Sequence, residues 1–494
     1  MTVISGGKSP KNANCGNKRN EEIMAPRDKI RTTARPPKPA VTVIHEGDHG
    51  IAHVKCTSRE TFINPASPSG MTATEINATF QLNLGLPIPV EHPTLRRCVA
   101  LFNLICISWY ESFLCQLWNC IPLATRKTIC FAAWAFYLPL HKLILGRTTG
   151  IHPAQSEEYH ALTTILWWGR LFPVTIDRMR FSLGQLSVGT KNIITSRVEP
   201  ISHVMNNHNI QEKVSQQPHV VQGFYLHSGN KQTNKVVLWI YGGAYLSGDA
   251  NGNISPAEQL GKKCGIDVFV PQYRLLPEHK VDDMFWDVNL AYCYLVRVRK
   301  VSPGDIVLLG ISSGGGLATR LLQYISEIQR NITLSPPYMA HILDATMMPS
   351  GAVLLCPFVD YTSPKPGGSF LEYQKHDLIV NQSVLEVGLP YFEHALGTDP
   401  QVRRQASPCY RDFYNLPPLC VVVSEHEVVY DQTLVLINAA RAQGVEVTVG
   451  LWKYMCHVWC LLAGFVPEGE QAMNFCCEWI REHIATTGTN ENDD

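Results

Sequence analysis

The chain has 494 residues, more than one ordinary domain and fewer than three, and 45% of them are apolar, enough for a large core. Basic and acidic residues number 42 each, so the formal net charge is zero and there is no basic excess of the kind a nucleic-acid partner requires. Sixteen cysteines include no C-x-x-C unit and no Cys/His cluster with zinc spacing, so no metal is expected and the thiols read as reduced, buried small hydrophobes.

Residues 1–96 are rich in Pro, Asn, Ser, Thr and charge, with stretches such as RPPKPAV and PASPSGM that cannot hold a helix. Disorder is expected there. The first 25 residues hold no apolar core of signal-peptide length, and the C-terminus TGTNENDD carries no retention or prenylation signal.

Composition changes abruptly at Arg96 and Arg97, which precede an apolar run over 98–124 whose only charge is Glu111. A second run, 128–146, is broken by Pro139, His141 and Lys142. The first is long enough to span a bilayer. However, Ser108, Ser112, Gln116 and Asn119 form a polar stripe at helical spacing, which suits a helix lying in an interface or a hairpin that enters and returns. Residues 97–149 are therefore expected to be a membrane-associated helical segment, with helices packed on the following domain as the other reading.

Residues 150–488 read as one α/β unit. VVLWIYGGA (236–244), DVFVPQYRL (267–275), IVLLGIS (306–312), GAVLLCPFV (351–359), LCVVVSE (419–425) and VTVGLWKYM (447–455) are short apolar, β-branched runs expected as buried strands. Helical patterns, such as 281–300 and 432–444, lie between most of them. That alternation predicts a mostly parallel sheet covered by helices on both faces.

Between the third strand and a helical stretch stands GISSGGG (310–316). Gly310-Ile311-Ser312-Ser313-Gly314 matches the G-x-S-x-G nucleophile elbow, a tight strand-to-helix turn that lifts the Ser312 hydroxyl above the sheet edge. The helix N-terminus behind it favours developing negative charge. A serine hydroxyl needs a base and an acid to orient that base, in the chain order Ser, Asp/Glu, His on such a sheet. His457, after the last strand, is the candidate base. EHEVVYD (425–431) offers Glu425, Glu427 and Asp431 as the acid; Glu427, at the loop apex, is preferred, with Asp431 as runner-up because it could cap the next helix instead. His426 reads as an exposed neighbour without a role. The backbone N–H groups of Gly242, Gly243 and Ser313 are the candidate oxyanion hole.

Together YGGAYLSGD, YRLLPEHKVDDMFWDV, GISSGGGLA and SPCYRDFYNLPPLCVVVSEHEVVYDQ followed by MCHVW resemble the hormone-sensitive-lipase-like branch of the α/β-hydrolase fold, over roughly residues 218–485. The resemblance implies carboxylic ester hydrolysis with no metal or cofactor, and it supports Glu427, since one subgroup of the family has Glu at that place. Tyr241 replaces the family's His before the glycines, Ala244 its third Gly, Ile311 its Asp or Thr, and Ser313 its Ala. These changes leave the backbone donors in place. The resemblance also implies a helical cap, from about 156–190 and 361–400, that would present Trp167, Trp168, Leu171 and Phe172 to a substrate, with Ala244 beside it. That aromatic cluster could equally be core.

The expected partners are a small hydrophobic ester, with an acetylated sterol or another lipid-like alcohol as the leading class, and a membrane surface. The expected location is the endoplasmic reticulum membrane with the catalytic unit in the cytosol, the cytoplasm being second. A sequon at Asn253, where a glycan could obstruct the oxyanion loop, favours the cytosol; others stand at Asn77, Asn331 and Asn381. Three alternatives stay open: a catalytically silent receptor on the same fold, an amidase or formamidase, and a membrane scaffold with a vestigial hydrolase unit.

Overall fold

A computed structural model describes residues 41–46, 52–56, 115–144, 152, 155–169, 174–187, 194–205, 219–229, 234–334, 339, 341–374 and 377–484. All fall in one unit, residues 39–494. Within the stretch expected to be disordered, β1 (Val41–Glu46) and β2 (Ala52–Cys56) pair as an antiparallel hairpin. VTVIHE and AHVKC carry the β-branched residues that suit strands. The remainder of 1–96 lies outside the described residues.

Of the apolar segment, α1 (Cys115–Cys120) and α2 (Leu123–Ile144) are described, and residues 98–114 are not. Among the described residues, no helix is long and apolar enough to cross a membrane. Helix α2 carries Arg126, Lys127, His141 and Lys142, and it packs on the domain that follows. The Phe131 ring stacks on Phe465 at 5.1 Å, Lys127 Nζ donates to Ser255 Oγ at 2.5 Å, and Lys142 pairs with Glu157 at 2.7 Å. Ile129, Phe136, Leu140 and Leu143, at helical spacing, remain exposed.

Helices α3 (Glu157–Gly169) and α4 (Ile176–Gly184) come next. Thr175 caps α4, its hydroxyl accepting the Arg178 N–H at 3.2 Å. The chain then lays down β3 (Val198–Val204), β4 (Val220–Leu226), β5 (Val236–Ile240), α5 (Ile254–Cys264), β6 (Asp267–Gln272), α6 (Val281–Cys293), β7 (Ile306–Ile311) and α7 (Ser313–Gln329). It continues through β8 (Gly351–Leu355), α8 (Ser369–Tyr373), α9 (Gln382–Leu396), α10 (Pro400–Ala406), β9 (Leu419–Ser424), α11 (Tyr430–Ala442), β10 (Val447–Trp452) and α12 (Pro467–His483).

Strands β3 to β10 form one eight-stranded sheet in the order β10-β9-β8-β7-β5-β6-β4-β3. From β10 to β6 all neighbours are parallel; β4 runs antiparallel to β6 and to β3. Every residue of β5, β7, β8 and β9 is buried, as parallel strands covered on both faces require. Each of the six runs expected as strands forms one, and each stops short of its expected end because the last residues turn into loops at the carboxyl edge. The edge strand β3 and its neighbour β4 escape sequence reading: Pro200 and Gly223 interrupt their apolar runs, and their burial is only partial. The cysteines whose side chains are described are all free and, apart from Cys120 and Cys130, buried, which suits small apolar core residues.

From β5 the chain moves to β6 on one side and then crosses to β7 on the other. The loops after β5 and β7 thus diverge at a topological switch point, where open α/β sheets form their ligand crevice.

Candidate active site

Ser312 sits between β7 and α7 with φ 51° and ψ −117°, a strained conformation that costs roughly 1–3 kcal/mol. Neighbouring backbone holds it there. Its N–H donates to Leu355 O at 2.8 Å, and its carbonyl accepts from Gly315 N–H at 2.9 Å and Phe358 N–H at 2.8 Å. Its Oγ lies 2.8 Å from His457 Nε2, and His457 Nδ1 lies 2.7 Å from Glu427 Oε2. An ionised carboxylate only accepts, so Nδ1 carries the proton and Nε2 is left to accept from the serine hydroxyl. The second Glu427 oxygen accepts the Ser424 N–H at 2.9 Å.

Glu427 and His457 are both buried. Burial pushes the Glu427 carboxyl up, and its hydrogen bond to His457 works against that push. The other two candidate acids are engaged elsewhere. Asp431 accepts the Ser369 N–H at 2.7 Å, and Glu425 faces Lys453 at 3.9 Å. His426, expected to be exposed, is largely covered instead. It stacks on Tyr454 at 4.3 Å, and burial, with repulsion from His152 and Lys453, lowers its pKa to about 4.

Opposite the serine, Gly242 and Gly243 follow β5. A Cβ on Gly242 would fall 2.6 Å from Ile311 O and 2.9 Å from Ser312 Cβ. Gly243 has φ 139°, where a Cβ would meet Ser247 O at 2.1 Å. Only glycine lets this loop pass so close to the nucleophile. Ser313 is the first residue of α7, and its Oγ accepts the Tyr245 N–H at 3.4 Å, tying the loop to the elbow. Tyr241 is fully buried, stacked on Tyr273 at 4.2 Å, and its carbonyl accepts the Tyr273 hydroxyl at 2.6 Å. Tyr273 thereby supports the residue just before the glycines; it lies inside the quoted YRLLPEH stretch but received no role from sequence.

A cavity of about 300 Å³ opens over Ser312, Gly242, Gly243, Ala244 and His457. One wall comes from Leu166 and from Met179, Leu183 and Leu186 in or beside α4; the other comes from Leu378, Ile379, Val380 and Val384. Both stretches expected as cap thus line it. Trp167 and Trp168 lie in α3, but their side chains, and all of Leu171 and Phe172, fall outside the described residues. Asn253 also borders the cavity, but its side chain is buried between the Trp239 indole N–H, which it accepts at 3.0 Å, and Asp249 O, to which it donates at 2.8 Å. That sequon is closed in the folded chain, so it carries no argument about compartment.

Cys356, Glu427 and His457 offer ligand atoms within 4.8 Å of one another. A cation there would have to displace the proton between Glu427 and Nδ1 and take up a thiol that burial holds strongly protonated. The donor set fits a proton relay better than a resident metal.

A carboxylate, an imidazole and a serine hydroxyl in line, beside paired glycines at a sheet switch point, define an α/β hydrolase. A family described as the alpha/beta hydrolase fold matches residues 237–461. The chain is 28% identical over 251 residues to an acetyl-hydrolase of Streptomyces hygroscopicus, covering 51% of this chain and 77% of that one. It is 26% identical over 244 residues to an esterase of Acinetobacter venetianus, covering 48% and 72%. Among solved structures, an esterase from the bacterial hormone-sensitive lipase family superposes with a TM-score of 0.54 at 25% identity, covering 67% of this chain and 99% of that one. The chain has the α/β-hydrolase fold and is similar to the hormone-sensitive-lipase-like esterases.

Proposed function

We propose that this chain cleaves carboxylic esters of a hydrophobic, lipid-like alcohol by a serine mechanism with an acyl-enzyme intermediate. The observation that carries the reading is the unbroken line from Glu427 Oε2 to His457 Nδ1 at 2.7 Å and from Nε2 to Ser312 Oγ at 2.8 Å. Ser312 Oγ attacks the ester carbonyl as its proton passes to Nε2. Glu427 holds the imidazole in the required tautomer and offsets the charge that develops on it. The N–H groups of Gly242, Gly243 and Ser313 take the oxyanion. Collapse breaks the ester bond, the alcohol leaves with the proton from Nε2, and water repeats the cycle on the acyl-enzyme.

The apolar walls of the cavity support a hydrophobic ester. Similarity to an acetyl-hydrolase supports a short acyl group on a larger alcohol, such as an acetylated sterol. The exposed row on α2, with Phe136 at 74% and Leu143 at 83% of full exposure, supports contact with a membrane surface, the endoplasmic reticulum with the catalytic unit facing the cytosol being the reading we carry forward.

The test is hydrolysis of p-nitrophenyl esters from acetate to decanoate by the full chain in detergent. Ser312→Ala and His457→Ala should each lower turnover by about 10⁴-fold. Turnover unchanged in Ser312→Ala would end the serine reading, and acetates of hydrophobic alcohols hydrolysed no faster than ethyl acetate would end the hydrophobic-alcohol reading.

A further inference from the structure

The loop that carries His457 is anchored by side chains from outside itself. Four successive backbone N–H groups are accepted by side chains: Tyr454 by His426 Nδ1 at 3.2 Å, Met455 by Ser424 Oγ at 3.1 Å, Cys456 by Tyr159 Oη at 2.8 Å and His457 by Asp377 Oδ2 at 2.8 Å. Tyr454 and Val458 both hold positive φ, 60° and 51°, so the loop depends on these anchors for its shape.

Asp377 differs from the other three. It is a buried carboxylate that the relay does not use. Its other oxygen, Oδ1, accepts the N–H groups of Ile379 at 2.9 Å and Val380 at 2.8 Å. Leu378, Ile379 and Val380 line the cavity. One side chain therefore joins the backbone of the histidine to a wall of the substrate cavity. The titratable groups facing it are His457, Glu427, Tyr159 and Cys456. Three N–H donors favour its ionised form, opposing the upward push of burial.

On the serine-hydrolase reading above, we infer that Asp377 is a positioning residue that couples the fit of a substrate chain against Leu378–Val380 to the placement of the His457 imidazole. Asp377→Asn keeps the volume but has a single acceptor oxygen. It must release either the His457 N–H or the Ile379/Val380 pair.

The experiment compares the wild-type chain, Asp377→Asn, Asp377→Ser and Tyr159→Phe. It reads kcat/KM for acetate and octanoate esters from pH 5 to 9, with circular dichroism to confirm folding. For Asp377→Asn, kcat/KM should fall about 10–100-fold, the cost of a small misplacement of a reacting group. The acid limb of its pH profile should move to lower pH, because a negative charge that favours imidazolium is gone. The octanoate-to-acetate ratio should change as well. Tyr159→Phe, which removes a neutral anchor, should lower kcat/KM without moving the acid limb. A folded Asp377→Asn with the wild-type pH profile and chain-length ratio overturns the inference, whatever its rate. So does failure of both Asp377 variants to fold while Tyr159→Phe folds, since Asp377 would then be a folding residue only. Absence of Ser312-dependent turnover in the wild type is a separate result: it fails the underlying reading, and the inference with it.

Discussion

Ile240 on β5 and Gly310 on β7 are register partners in adjacent parallel strands. Two residues further along each chain segment stand Gly242 and Ser312, so the pairing itself sets the candidate oxyanion loop against the candidate nucleophile. Gly242→Ala pushes a methyl group into Ser312 Cβ and Ile311 O. Turnover should fall by about 10²-fold or more, as for loss of an oxyanion donor, with secondary structure retained. Steady-state kinetics beside circular dichroism checks this; an alanine variant with wild-type kcat would remove Gly242 from the hole.

Glu427 and Asp431 lie four residues apart but face different partners. Glu427→Gln keeps the shape and loses the charge beside His457, so kcat should drop about 10³–10⁴-fold. Asp431→Ala loses only its hydrogen bond to the start of α8, and activity should stay within a few-fold of wild type. If the two variants lose activity equally, the acid has been assigned wrongly.

Stability should fall on mild acidification. His426 has its pKa lowered to about 4 in the folded chain, and burial lowers His141 and His152 in the same direction. Below the unfolded imidazole value of about 6.5, the unfolded chain binds protons that the folded chain refuses, so stability is complete above that pH and declines toward pH 4. His426 alone should account for up to about 2 kcal/mol between pH 6.5 and 5. His426→Asn, which keeps an acceptor for the Tyr454 N–H, should flatten that slope in urea unfolding at pH 5, 6 and 7. An unchanged slope would place the effect elsewhere.

Tyr273→Phe removes the hydroxyl that donates to Tyr241 O at 2.6 Å and leaves that buried carbonyl short of a partner. A cost of about 1–3 kcal/mol is expected, together with a lower kcat, because the loop it supports carries the oxyanion donors. Thermal unfolding and kinetics together test it; stability lost at constant kcat would mean that Tyr273 serves the fold alone.

Phe136→Ser with Leu143→Ser removes the most exposed part of the α2 row. Flotation with anionic phospholipid vesicles should weaken several-fold, since about 0.8 kcal/mol is lost per methylene no longer buried. Turnover of a soluble acetate ester should stay unchanged. Equal flotation of variant and wild type would dismiss this face as the contact.

The parallel strands and the elbow were legible because their signals are local. β5, β7, β8 and β9 are buried on both faces and so must be continuous apolar runs. An elbow needs its glycines next to its serine, so GISSGGG announces itself within seven residues. The strands β3 and β4 were not legible, because half-exposed strands at and next to the sheet edge carry weak patterns. The side chains of Trp167 and Trp168 lie outside the described residues, while Leu166 beside them lines the cavity.

What the sequence by itself determined is the fold, the nucleophile's turn and the short menu of partners after β9 and β10, because each follows from neighbours in the chain. Tertiary structure brought Glu427 rather than Asp431 to Nδ1, since the two stand four residues apart, Asp431 in the first turn of α11, and only packing sets which carboxylate meets the imidazole. It also brought Asp377 to the backbone of a histidine 80 residues away. No spacing or motif records that contact, because a buried carboxylate is placed by whichever N–H groups need it, and those are assembled only when the chain has folded.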